Sequence, residues 1–104
     1  MKFETTTTFE REWRRLSRDH RRMARAALAD FIDACNAVTG TAIPEFPASL
    51  RVRPLRGTNR PVIWEMTWNF ARPDGRATFE FIEIDGARAV RWRRIGGHDV
   101  YEEP

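Results

Sequence analysis

The sequence has a single cysteine, Cys35, a single lysine, Lys2, and no apolar run of membrane-spanning length. One thiol forms no internal disulfide and supports no cysteine-rich zinc site. The apolar stretches fall well short of the roughly 20 residues needed to cross a bilayer. The opening MKFETTTTFEREW lacks the apolar core of a signal peptide. The expected compartment is therefore the cytoplasm, with no membrane partner. A length of 104 residues is expected to give one domain, residues 1–104.

Four Trp and seven Phe in a chain that is 41% hydrophobic argue for a packed core and against disorder. A core of this size is marginal, which leaves room for a partner to add stability. Eighteen Lys and Arg stand against 15 Asp and Glu, a formal charge of +3, and all but Lys2 are arginine. A G- and C-rich genome alone would favour Arg codons over Lys codons. Arginine also presents a planar fork that pairs bidentately with phosphate, so the excess suits a nucleic acid, an acidic protein, or both.

Phe3, Thr5 and Thr7 alternate with polar neighbours, so residues 2 to 7 read as a short strand. Thr7 followed by Glu10 is a capping-box spacing, and Phe9, Trp13 and Leu16 form one stripe of a helix over about 9 to 17. After a polar break at Ser17 to His20, a second helix is predicted over about 20 to 38, with Met23, Ala27, Phe31, Cys35 and Val38 at helical spacing and Gly40 as a stop. Seven arginines fall between Arg11 and Arg25. Such a run suits either a solvated amphipathic face, partly neutralised by Glu10, Glu12 and Asp19, or a surface for a phosphate backbone or a partner helix.

Residues 40 to 49 read as a loop, and from Leu50 the period changes to two. Leu50 and Val52 alternate with Arg51 and Arg53. Val62, Trp64, Met66, Trp68 and Phe70 share one face, and Ala77, Phe79 and Phe81 another, continued by Val90 and Trp92. Arg-Pro-Asp-Gly at 72 to 75 and Asp85-Gly86 read as hairpin turns. The expected fold is α+β, with one sheet face under the helices and the other polar. That polar face collects Arg51, Arg53, Glu65, Thr67, Arg76, Thr78, Glu80, Arg91 and Arg93. It suits a binding or catalytic surface or, equally, a solvated face laced by Arg–Glu pairs.

The order of a strand, an α-hairpin, then LRVRPLRG, IWEMTW, DGRATFEF and WRRIGGHDVY resembles the RelE/ParE superfamily of bacterial toxins. The resemblance covers essentially the whole chain through individually loose motifs. It implies an N-terminal short strand and α-hairpin packed on one face of a mainly antiparallel four-stranded sheet. It also implies a type II toxin acting as a ribosome-dependent mRNA endonuclease, without metal or other cofactor. The implied partners are mRNA, the 70S ribosome and a cognate antitoxin that covers the basic surface. The alternatives are a ParE-like inhibitor of DNA gyrase that acts by binding, and an inactive antitoxin-bound relative.

By that resemblance Arg76 matches the arginine that contacts the scissile phosphate, a sensible role because a desolvated guanidinium stabilises charge building on phosphorus. His98 and Tyr101 match the C-terminal acid/base region, and histidine is the natural proton carrier near neutral pH. Members with a glutamate base place it just before the Pro-Leu element, where this chain has Arg53, so no base carries over by position. Glu65 or Glu80 would have to serve. Arg51, Arg53, Arg56, Arg91, Arg93 and Arg94 are the expected contacts to RNA phosphates.

Overall fold

Thr6 rather than Thr7 opens the first helix. Its side chain accepts a 3.1 Å hydrogen bond from the Phe9 N–H and itself donates to the Arg93 carbonyl at 2.7 Å. One threonine of the run thereby ends the first strand, β1 (Lys2–Thr5), and starts α1 (Thr7–Arg15). Thr5 instead donates to the Glu10 carboxylate at 3.1 Å. Ser17 caps α2 (Arg18–Asn36) by accepting from the His20 N–H at 3.1 Å, so the break between the helices is shorter than the polar run suggests. α2 ends two residues short of Val38.

The computed structural model describes residues 1–68 and 75–104, with the backbone alone at His98 and Asp99. Phe70 and all of the turn at 72 to 75 except Gly75 lie outside the described residues. The remaining strands are β2 (Arg53–Pro54), β3 (Trp64–Trp68), β4 (Gly75–Ile84) and β5 (Ala87–Gly96). Short 3-10 turns occupy Ala48–Leu50 and His98–Tyr101.

The architecture is α+β and the sheet is mainly antiparallel, but among the described residues it has five strands, not four, in the order β1-β5-β4-β3-β2, and one pairing makes it mixed. β1 lies parallel to β5, from Lys2 opposite Ala89 to Thr5 opposite Trp92, because α1 and α2 carry the chain away before the sheet is built. The other pairings are antiparallel. The strand expected from Leu50 shrinks to two residues: Leu50 closes a 3-10 turn with its side chain in the core, and Arg51 takes a left-handed φ of 47°. Pro54 then sits on the sheet edge, where its missing N–H does no harm. The Asp85-Gly86 turn forms as expected, with φ of 54° and 79° joining β4 to β5.

α2 packs through Ala24, Ala27, Phe31 and Cys35, all buried. The Phe31 ring meets Trp92 at 4.7 Å and the edge of Phe79 at 5.0 Å between centroids, joining helix to sheet. Burial pushes the Cys35 thiol up to about 11, which leaves it unreactive.

β5 departs from strict alternation. Thr78 faces Arg94 while Phe79 faces Trp92, so Arg93 is an extra residue in a bulge. The one-residue shift returns Ile95 to the core beside Val90 and Trp92, where simple alternation would place Arg94. Beyond Trp92 this edge is met by α1, whose Glu12 accepts from the Ile95 N–H at 3.3 Å.

Candidate active site

The sheet face away from the helices is polar, as its alternation implies, but it is not an open solvated surface. Glu65 and Glu80 are 2% and 5% exposed, and Thr67 and Thr78 are buried with them. The chain after β5 covers part of this face: Thr78 donates to the main-chain oxygen of Pro104 at 3.0 Å, and the His98–Tyr101 turn packs against β4. Carboxylates this deep require charged or hydrogen-bonding partners. The sequence supplies two sets.

The first set surrounds Glu65. Arg53 on β2 lies opposite Glu65 on β3, and its Nε donates to one carboxylate oxygen. The other oxygen accepts the hydroxyl proton of Tyr101. Arg76, one residue into β4, donates from Nη1 to the Tyr101 oxygen at 2.7 Å, and its guanidinium carbon lies 5.1 Å from the centre of that ring. The result is a continuous path Arg53–Glu65–Tyr101–Arg76 drawn from three strands and the final turn. It lines a cleft of about 700 Å³ whose walls include Leu55, Arg56, Thr58 and Pro104.

Burial and the adjoining Glu65 carboxylate hold the Tyr101 phenol above its ordinary value near 10, against the opposing pull of Arg76. Tyr101 is therefore a proton donor at neutral pH. Glu65 accepts from two neighbours, yet a carboxylate has about four lone-pair positions, so capacity for a further hydrogen bond remains. Arg56 is exposed on the cleft wall. Thr58 closes the loop behind it by donating to the Leu55 carbonyl at 2.8 Å and accepting from the Ile63 N–H at 3.0 Å.

The second set surrounds Glu80, four residues along β4 from Arg76 and about 13 Å away by strand rise. Arg91 donates to Glu80 at 3.1 Å and to Glu4 at 2.5 Å, while Arg93 holds the other Glu80 oxygen. Glu80 is thus fixed between two guanidinium groups and apart from Tyr101. Of the two candidate bases, Glu65 alone joins the Arg76 cluster.

The expected phosphate contacts divide accordingly. Arg56 keeps an open guanidinium in the cleft, whereas Arg53 is committed to Glu65 and acts on its orientation. Arg91 and Arg93 are committed to carboxylates, and Arg94 forms a two-pronged pair with Glu12 at 2.8 Å on both prongs. Arg51 is exposed and is not among the residues lining the cleft. The backbone of His98 lies in the same turn as Tyr101; its side chain lies outside the described residues.

Sequence reasoning missed Thr58, and missed the main-chain oxygens of Glu103 and Pro104 as acceptors for Arg94 and Arg93. Backbone acceptors leave no mark in residue type. Among the described residues, no group of three His, Cys, Asp or Glu side chains is placed to hold a metal ion. No described helix is long and apolar enough to cross a membrane. Compared with models of protein families, with curated proteins and with solved structures, the chain matches none.

Proposed function

We propose that this chain is a RelE/ParE-like toxin that cleaves mRNA on the ribosome by attack of the RNA's own 2′-hydroxyl. The observation that carries this reading is the Glu65–Tyr101–Arg76 cluster in a cleft walled by Arg53 and Arg56. A surface acting by contact alone has no need of a buried carboxylate joined to a phenol. The resemblance supplies the substrate class, and the hydrogen bond from Tyr101 to Glu65 supports Glu65 as the base that the resemblance lacks.

In this mechanism Glu65 takes the proton from the 2′-hydroxyl as the 2′-oxygen bonds to phosphorus. Arg76 stabilises the charge that builds on the phosphoryl oxygens. Tyr101 gives its proton to the departing 5′-oxygen as the P–O bond breaks. The proton on Glu65 then returns to Tyr101 along their hydrogen bond, and the products are a 2′,3′-cyclic phosphate and a 5′-hydroxyl. Arg53 keeps the carboxylate turned toward the cleft, and Arg56 meets a neighbouring phosphate. His98 has no step here. A cognate antitoxin covering the cleft would restrain the activity in the cytoplasm.

Mapping transcript ends by primer extension after induction tests the reading. Cut transcripts without DNA-damage signalling support it. DNA-damage signalling with intact transcripts would instead favour gyrase inhibition, for which the exposed Arg14, Arg15, Arg18, Arg22 and Arg25 of the helical hairpin offer a surface.

A further inference from the structure

A second cleft, of about 580 Å³, lies between the start of α1 and the 58–63 loop and includes Arg60, Arg93 and Arg94. It shares two walls with the Glu65 cleft, Thr58 and Pro104. The segment that runs between them is short and carries the exposed carboxylates of Glu102 and Glu103. Beneath it, two donors converge on one oxygen: Thr78 Oγ1 and Arg93 Nε reach the main-chain oxygen of Pro104 at 3.0 and 3.1 Å. Arg94 Nη1 reaches the preceding carbonyl, that of Glu103, at 2.9 Å.

We propose that residues 102–104 form a displaceable strap occupying a second phosphate subsite, built from Thr78, Arg93 and Arg94, and that its withdrawal joins the two clefts into one groove for single-stranded RNA. The choice of a phosphodiester backbone as ligand rests on the nuclease reading above. Main-chain oxygens now satisfy Thr78, Arg93 and Arg94, and each of these donors can serve a phosphate oxygen in their place. Arg93 Nη1 remains tied to Glu80 and Arg94 to Glu12, so both donors stay aimed after the strap leaves. The strap is held through its main-chain oxygens, while its two glutamate side chains are exposed. In place, those carboxylates repel a phosphate backbone. The groove is therefore competent only in the fraction of molecules whose strap is open, which weakens apparent affinity by that fraction.

The test is anisotropy of a fluorescent 12-mer of deoxythymidine, which has no 2′-hydroxyl and cannot be cut by the proposed chemistry. A chain ending after Tyr101 is compared with the full chain, circular dichroism checking that both are folded. The expected result is binding about tenfold tighter without the strap, with the gain abolished by adding Thr78→Val or Arg93→Gln to the shortened chain. Should the shortened chain not fold, full-length Glu103→Gly/Pro104→Gly, which loosens the strap, is expected to gain several-fold. Unchanged or weaker binding by the folded variant, or a gain that survives both Thr78→Val and Arg93→Gln, overturns the proposal. RNA cleavage is scored separately: tighter DNA binding without RNA cleavage sinks the nuclease reading and keeps the subsite, and cleavage with unchanged binding does the reverse.

Discussion

Arg76 engages Tyr101 twice, donating a 2.7 Å hydrogen bond to its hydroxyl oxygen while the guanidinium lies 5.1 Å from the centre of its ring. The phenol is held at both its oxygen and its face, with its proton directed to Glu65. Removing the hydroxyl should break the path with little change in packing. Tyr101→Phe is expected to lower the rate of RNA cleavage by about 100-fold or more. It should cost about 1 kcal/mol of stability, since Glu65 keeps Arg53 as partner. Single-turnover cleavage and urea unfolding measure the two effects.

Tyr101 is the only tyrosine, so phenolate absorbance reports it alone. Its midpoint is expected above 10 in the folded protein. Arg76→Ala should move it further up, and Glu65→Gln should bring it down. The sign for stability follows: between the unfolded and folded midpoints the unfolded chain has lost the proton and the native one retains it. The contribution of Tyr101 is complete below the unfolded midpoint and is lost as pH rises through the folded one. Alkaline unfolding should therefore be less steep in Tyr101→Phe than in the parent chain.

The two arginine groups separate by salt dependence. Arg56→Ala removes an open cleft cation, so the slope of log affinity for single-stranded RNA against log salt should flatten by about 0.7. Arg91→Gln should leave that slope unchanged, because Arg91 lines neither cleft and is tied to Glu4 and Glu80. It should instead cost about 2 kcal/mol of stability by weakening the support of a buried carboxylate. Binding titrations at several salt concentrations, with unfolding curves alongside, check both.

Glu12 receives both prongs of Arg94 and the Ile95 N–H, fastening α1 to the uncovered stretch of β5. Glu12→Gln is expected to cost about 2 kcal/mol in denaturant unfolding. A cost within experimental error would mean that the contact is solvent-screened.

The helices and the β4–β5 hairpin were legible because each carries a local signal: Phe31 and Cys35 at helical spacing, and Asp85-Gly86 between alternating strands. The parallel pairing of β1 was not, since a four-residue strand does not encode its neighbour. Four consecutive threonines could each cap α1, and Thr6 is selected by a tertiary contact, the Arg93 carbonyl. Alternation placed Glu65 and Arg76 on one face, and the resemblance added Tyr101. What joins them is the fold of the last turn over β4, which no spacing reveals. Of the two readings that the same alternation left open, a binding surface and a face laced by Arg–Glu pairs, the Arg–Glu pairs are present, through Glu4, Glu12, Glu65 and Glu80.

The most direct measurement is the chemistry of the RNA ends produced by the purified chain with programmed ribosomes. Transcripts treated with the parent protein should carry 2′,3′-cyclic phosphate at the cut. A single 2′-deoxy substitution at the cut nucleotide should prevent cleavage, and Glu65→Gln should slow it by about 100-fold or more. Intact transcripts with the parent protein, cleavage that tolerates the deoxy substitution, or equal rates for parent and Glu65→Gln would contradict the role given to Glu65, Tyr101 and Arg76.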